Sequence, residues 1–142
     1  MRVDANVILR FLLDDPPEMA EQAAQVFQLV SDGRLQLLVD DLIVAELVWV
    51  LKSFYKKSVA EITAVLRQFL LADGIILTNQ SVILQALALF ETYNVDFIDA
   101  LLTARMQKAG HDLLISFDKH FDRLPGVQRI HPQNIAGVIG DS

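Results

Sequence analysis

Cysteine is absent from the 142 residues, which removes disulfide frameworks, thiolate metal sites and thiol nucleophiles together. Basic residues are in the minority. Twelve Lys and Arg stand against 18 Asp and Glu, for a formal charge of −6. A cationic coat that grips nucleic acid non-specifically is therefore excluded, whereas a local acidic site is not. Glycine and proline number only 6 and 4, and no Gly-x-Ser-x-Gly elbow, Walker loop or Gly-x-Gly-x-x-Gly turn occurs. Serine hydrolases, P-loop enzymes and dinucleotide binders thus lack their signatures here. No run approaches the ~18–20 apolar residues of a membrane helix. The opening MRVDANVILRFLLDD is interrupted by Arg10 and has no cleavage site, so neither signal peptide nor anchor is expected. A cytoplasmic protein with no membrane partner is the expectation.

What is present is apolar side chain. At 53% hydrophobic and 21% charged, the chain is far from the composition of a disordered segment. Its length suits one domain, residues 1–130, followed by a tail at 131–142 containing Gly137 and Gly140. Short apolar runs at 35–39 and 75–77 predict buried strands, and residues 2–4, 113–116 and 127–130 bring the expected number to about five. Helical spacing predicts helices at 5–13, from Pro16 and Pro17 to about Val30 with an Asp cap before the prolines, from Asp40 or Asp41 through Leu51, at 59–72, at 80–93 and at 96–108. Ser58-Val59-Ala60-Glu61 is a capping-box pattern. Strands alternating with helices predict an α/β fold with a parallel sheet, in which polar residues at strand carboxyl ends are the ones to inspect.

Asp4 and Asp118 occupy such positions, after residues 2–3 and 113–116. Glu46 interrupts the apolar run Leu42-Ile43-Val44-Ala45-Glu46-Leu47-Val48-Trp49, and Asp99 lies in Phe97-Ile98-Asp99-Ala100-Leu101-Leu102. A buried acid in such surroundings is ordinarily paired or bound to metal. Each also has a plainer reading as a turn, helix-edge or capping residue. Arg2, Arg10 and Lys52 are the cations within reach of Asp4 and Glu46.

Taken together, Val3-Asp4-Ala5-Asn6-Val7-Ile8, Val44-Ala45-Glu46-Leu47, Asp96-Phe97-Ile98-Asp99-Ala100-Leu101-Leu102-Thr103-Ala104 and Ser116-Phe117-Asp118-Lys119-His120-Phe121 resemble the PIN domain, and within it the VapC-type toxins of bacterial toxin–antitoxin pairs. The resemblance spans about residues 1–130. It implies a three-layer sandwich with a short central parallel sheet of about five strands flanked by helices. It also implies Mg²⁺ or Mn²⁺ as cofactor, RNA as substrate, a homodimer and a small inhibitory antitoxin. Carried over by position, Asp4, Glu46, Asp99 and Asp118 are the catalytic and metal-binding acids. Asn6 and Ser116 match supporting positions, with Asp96 and Asp122 as further acids near them.

The chemistry accords with these residue types. Mg²⁺ and Mn²⁺ are hard cations that prefer oxygen ligands, and a metal held by carboxylates polarises a phosphoryl oxygen and activates water. It also offsets the repulsion between an acidic pocket and RNA. Lys52, Phe54, Tyr55, Lys56 and Lys57 form the densest basic and aromatic stretch; Lys52 and Lys56, four apart, share a helix face, and the stretch reads either as an RNA contact or as helix-end lysines with Phe54 in the core. Arg10, Arg105 and Lys119 are further candidate contacts. His111, His120 and His131 lack the short spacing of a zinc site and read as turn residues, and Trp49 reads as core or interface. The alternatives are a catalytically idle module of the same fold that binds RNA or protein, and a phosphatase or DNA nuclease built on the same acids.

Overall fold

Runs of three residues, apolar in three cases of four, become parallel strands, and longer periodic runs become helices, in the computed structural model, which describes residues 1–110 and 113–140. The chain divides into two units, Met1–Ile83 and Leu84–Ser142.

The first unit contains α1 (Ala5–Leu13), α2 (Pro17–Ser31), β1 (Leu37–Val39), α3 (Asp41–Ser53), α4 (Val59–Leu70), β2 (Ile75–Leu77) and the start of α5 (Gln80–Tyr93). β1 pairs with β2 in parallel, Leu37 opposite Ile75 and Val39 opposite Leu77. On the other side of β1, Leu38 donates its N–H to the Met1 carbonyl at 2.8 Å, and one parallel bridge joins Leu38 to Arg2. The expected first strand shrinks to that bridge because α1 begins at Ala5, leaving only a few residues of extended chain. α1 packs on α2 and α3, and α4 on α3 and β2. Phe27 stands between Phe11, stacked at 4.3 Å, and Phe69, edge-on at 5.6 Å. Ile8, Leu37, Val39, Val44, Leu47, Ile62 and Leu66 are fully buried.

Local chemistry sets the boundaries. Asp40 caps α3 by accepting the Ile43 N–H on Oδ1, and its Oδ2 accepts Arg2 Nη1 at 2.8 Å. Ser58 and Glu61 form the reciprocal capping box of α4. The Asp cap expected for α2 is not made. Pro16 takes the N-cap position with Pro17 first in the helix, and the Asp15 carbonyl instead accepts Arg10 Nη1. Gly74 turns the chain into β2 with φ +87°, where an added Cβ would stand 2.6 Å from Val30 Cγ1.

The second unit contains the rest of α5, α6 (Phe97–Ala109), β3 (Leu113–Ile115), a 3-10 turn (Lys119–Arg123), β4 (Gln128–Ile130), a second 3-10 turn (Pro132–Asn134) and the short α7 (Ile135–Ile139). β3 and β4 are parallel, Leu113 opposite Gln128 and Ile115 opposite Ile130. Phe90 and Phe97 meet edge-on at 5.9 Å. Gln107 of α6 donates to the Pro125 carbonyl and accepts from Gln85 of α5. It thereby fixes the turn before β4 against α6.

The parallel α/β class stands, but the strand count is lower than expected. Among the described residues the strands form two two-stranded ladders and the Arg2–Leu38 bridge. Nor are all of them buried on both faces. Leu37 and Val39 are buried, whereas Ile76 is 43% exposed.

Candidate active site

Asp4 takes the N-cap position of α1 in extended conformation, yet its side chain makes no capping hydrogen bond. Aspartate is favoured at that position because its carboxylate ordinarily accepts an N–H of the first turn. The Asp4 carboxylate is exposed and unspent on the helix. Asn6 is exposed one residue into α1. The cations that the sequence placed near Asp4 are engaged elsewhere. Arg2 binds Asp40, while Arg10 donates to Tyr55 Oη at 2.8 Å and to the Asp15 carbonyl, leaving its buried Nε without a partner among the described residues.

Glu46 is exposed on α3. Val44, Leu47, Val48 and Leu51 form the buried face of that helix, and the apolar Leu42 and Trp49 that share the Glu46 face are 73% and 66% exposed. Glu46 thus takes the helix-edge position that is one reading of it, and of the two readings of Trp49 the core one does not hold. α3 is apolar nearly all round, and the chain buries only one side of it.

In the second unit, three nested turns follow β3. Ser116 Oγ accepts the Asp118 N–H at 3.0 Å, and Asp118 Oδ1 accepts the His120 N–H at 3.1 Å, capping the turn Lys119–Arg123. Hydrogen bonding from the His120 backbone is the main cause that lowers the Asp118 carboxyl below its ordinary value, against partial desolvation. The His120 ring stacks on buried Phe121 at 4.4 Å. Its Nδ1 contacts Asp118 Oδ1, and its Nε2 lies 3.0 Å from Asp99 Oδ2. Asp99 sits in the first turn of α6, its carbonyl accepting Thr103 Oγ1 at 2.8 Å. Asp96 occupies the N-cap position of α6 and, like Asp4, makes no capping bond. Asp122 is held differently. Both its oxygens accept from Arg129, at 2.9 and 3.1 Å, and Arg129 also donates to the Ser116 carbonyl. That pairing lowers the Asp122 carboxyl and raises the guanidinium of Arg129.

Asp4 and Glu46 thus belong to the first unit, and Asp99 and Asp118 to the second. Among the described residues, neither unit by itself gathers three carboxylate or imidazole side chains arranged to hold a metal ion. The donor chemistry is that of a hard cation, carboxylate oxygen without sulfur.

Residues 1–127 match the PIN domain. The chain belongs to the PIN domain family. It is also similar to a VapC ribonuclease of Aquifex aeolicus (strain VF5), 27% identical over 130 residues that cover 92% of this chain and 95% of the relative. No helix among the described residues of this PIN domain is long and apolar enough to cross a membrane.

The basic stretch departs from its expected local structure. α3 ends at Ser53, and Lys56 has a left-handed φ of +55°, so Lys52 and Lys56 do not share a helix face. Phe54 is 73% exposed rather than in the core, and meets Tyr55 edge-on at 5.1 Å. Of the histidines, His111 lies outside the described residues. His131 accepts the Gln133 N–H on Nδ1 and abuts Phe117, as a turn residue does. His120 is the residue that sequence reasoning undervalued. Its two-residue spacing from Asp118 signalled the local turn, but nothing in the sequence signalled Asp99, 21 positions away.

Proposed function

We propose that this PIN domain is a metal-dependent endoribonuclease that hydrolyses RNA phosphodiester bonds, and that it is the toxin of a toxin–antitoxin pair. The observation that carries the reading is the match to the PIN domain across residues 1–127, joined by likeness to a ribonuclease along nearly its whole length. Asp4, Glu46, Asp99 and Asp118 hold Mg²⁺ or Mn²⁺ and form the catalytic site. The uncapped Asp4 carboxylate and the two acids facing the His120 ring support that assignment. When bound, the divalent ion polarises a phosphoryl oxygen and activates water. Ser116 fixes the Asp118 backbone through its Oγ, and Asn6 supports the Asp4 segment. Asp96 is a further acid beside the site, and Asp122 serves it indirectly by anchoring the turn that carries Asp118.

Residues 1–130 constitute the nuclease domain and 131–142 a tail. The exposed apolar Leu42 and Trp49 support a homodimer, whose partner in the cytoplasm is a small antitoxin protein. A panel of RNA, single-stranded DNA and a phosphomonoester, each incubated with purified protein and Mn²⁺, tests the substrate class. Cleavage of RNA alone is expected, and loss of that cleavage in Asp4→Asn. Turnover of the phosphomonoester or the DNA in preference to RNA contradicts the reading, and no turnover of any of them leaves an idle binding module.

A further inference from the structure

We propose that His120 is a positioning residue whose Nε2–H donates to Asp99 Oδ2, tying Asp99 to the turn that Asp118 caps and leaving the second Asp99 oxygen for the divalent ion. The inference rests on the metal-site reading above and extends it to a residue outside the four acids.

Three observations carry it. The two ring nitrogens face oxygens of two different acids, Nε2 at 3.0 Å from Asp99 Oδ2 and Nδ1 against Asp118 Oδ1. Those acids come from separate elements, α6 and the turn after β3, so this one side chain ties them together. The ring itself is fixed. It stacks on buried Phe121, its backbone N–H is bonded to Asp118, and its side chain is only 25% exposed. The underlying turn is clamped by Arg129 onto Asp122 and the Ser116 carbonyl, and the chain beyond it is held to α6 by Gln107. Such rigidity is what an orienting partner requires, because a carboxylate with one oxygen held in place loses less freedom when the other takes a ligand. With both nitrogens turned to carboxylates, the ring acts through Asp99 rather than as a ligand of the ion.

Conservative variants separate the two contacts. A glutamine amide nitrogen reaches the place of Nε2 and retains the Asp99 contact. An asparagine amide nitrogen reaches only the place of Nδ1, beside an Asp118 that a backbone N–H already holds. Mn²⁺ binding to the full chain is measured by titration calorimetry for the parent, His120→Gln, His120→Asn and His120→Ala, with melting in EDTA recorded for each. Loss of such an orienting partner typically weakens metal affinity about 10–100-fold. His120→Ala and His120→Asn should show that loss, and His120→Gln should recover part of it. At saturating Mn²⁺, RNA cleavage by all three should return toward the parental rate. Affinity unchanged or tightened in His120→Ala overturns the proposal, as does His120→Gln no better than His120→Asn, a comparison that holds even if the alanine variant fails to fold. A parent that binds no Mn²⁺ overturns the metal-site reading and this inference with it, whereas a parent that binds Mn²⁺ beside indifferent variants overturns this inference alone.

Discussion

An aspartate that begins a helix without capping it is a residue whose charge the fold does not use. Asp4 is in that position, whereas Asp40 and Asp118 accept the N–H groups of the turns they open. Asn ranks with Asp at an N-cap, and the helix dipole favours the charge by only a few tenths of a kcal/mol to about 1 kcal/mol. Asp4→Asn should therefore melt in EDTA within about 1 kcal/mol of the parent. Its stabilisation by Mn²⁺, about 2.7 kcal/mol for a parent at a hundredfold excess over the dissociation constant, should shrink. A large loss of stability in EDTA with the Mn²⁺ increment intact returns Asp4 to a structural role. Asp122 makes the opposite case. Arg129 holds its carboxyl below the ordinary value, so the pair stabilises the fold above that value, and the contribution vanishes as pH falls through the depressed one. Asp122→Asn should lower the melting temperature at pH 7, and the gap to the parent should close as pH drops below ~3.9. A gap independent of pH contradicts the ion-pair account. At this scale the sequence was legible where an acid opens a turn, as Asp118 does before His120. It was illegible for His120 and Arg129, whose importance lies in partners that only the fold brings near.

Elements were legible where side-chain chemistry announces an end. Ser58 with Glu61 marked the start of α4, Gly110 with φ +91° closes α6, and the apolar run at Ile75–Leu77 is β2. The Ser58 hydroxyl accepts the Glu61 N–H at 3.1 Å while Glu61 returns a bond to the Ser58 N–H. Ser58→Ala should cost about 1 kcal/mol in chemical denaturation, within the 0.5–2 kcal/mol of capping substitutions. An unchanged midpoint and slope would show that the cap contributes nothing to folding. Periodicity misled where a helix is apolar all round, because it names no face. In α3 it left Trp49 open between core and interface, and the structure exposes it. It also extended the helix as far as Lys56, although the chain leaves helical geometry after Ser53.

For the whole molecule, two short parallel ladders and the helices around them carry a PIN domain whose four candidate acids come from four separate segments. Sequence order alone showed those segments, since each acid stands in its own recognisable setting, but a shared site depends on long-range folding that no local pattern encodes. The negative charge of the chain sharpens the chemical question, because carboxylates repel the phosphate they are proposed to serve unless a cation intervenes. The most direct measurement is cleavage of RNA by purified protein in Mg²⁺ or Mn²⁺ and again in EDTA, with Asp99→Asn purified identically to expose contaminating nuclease. Cleavage should require the metal, disappear on chelation, return when the metal is restored, and be absent from Asp99→Asn. Cleavage undiminished in EDTA while Asp99→Asn remains inactive would contradict a metal-dependent mechanism.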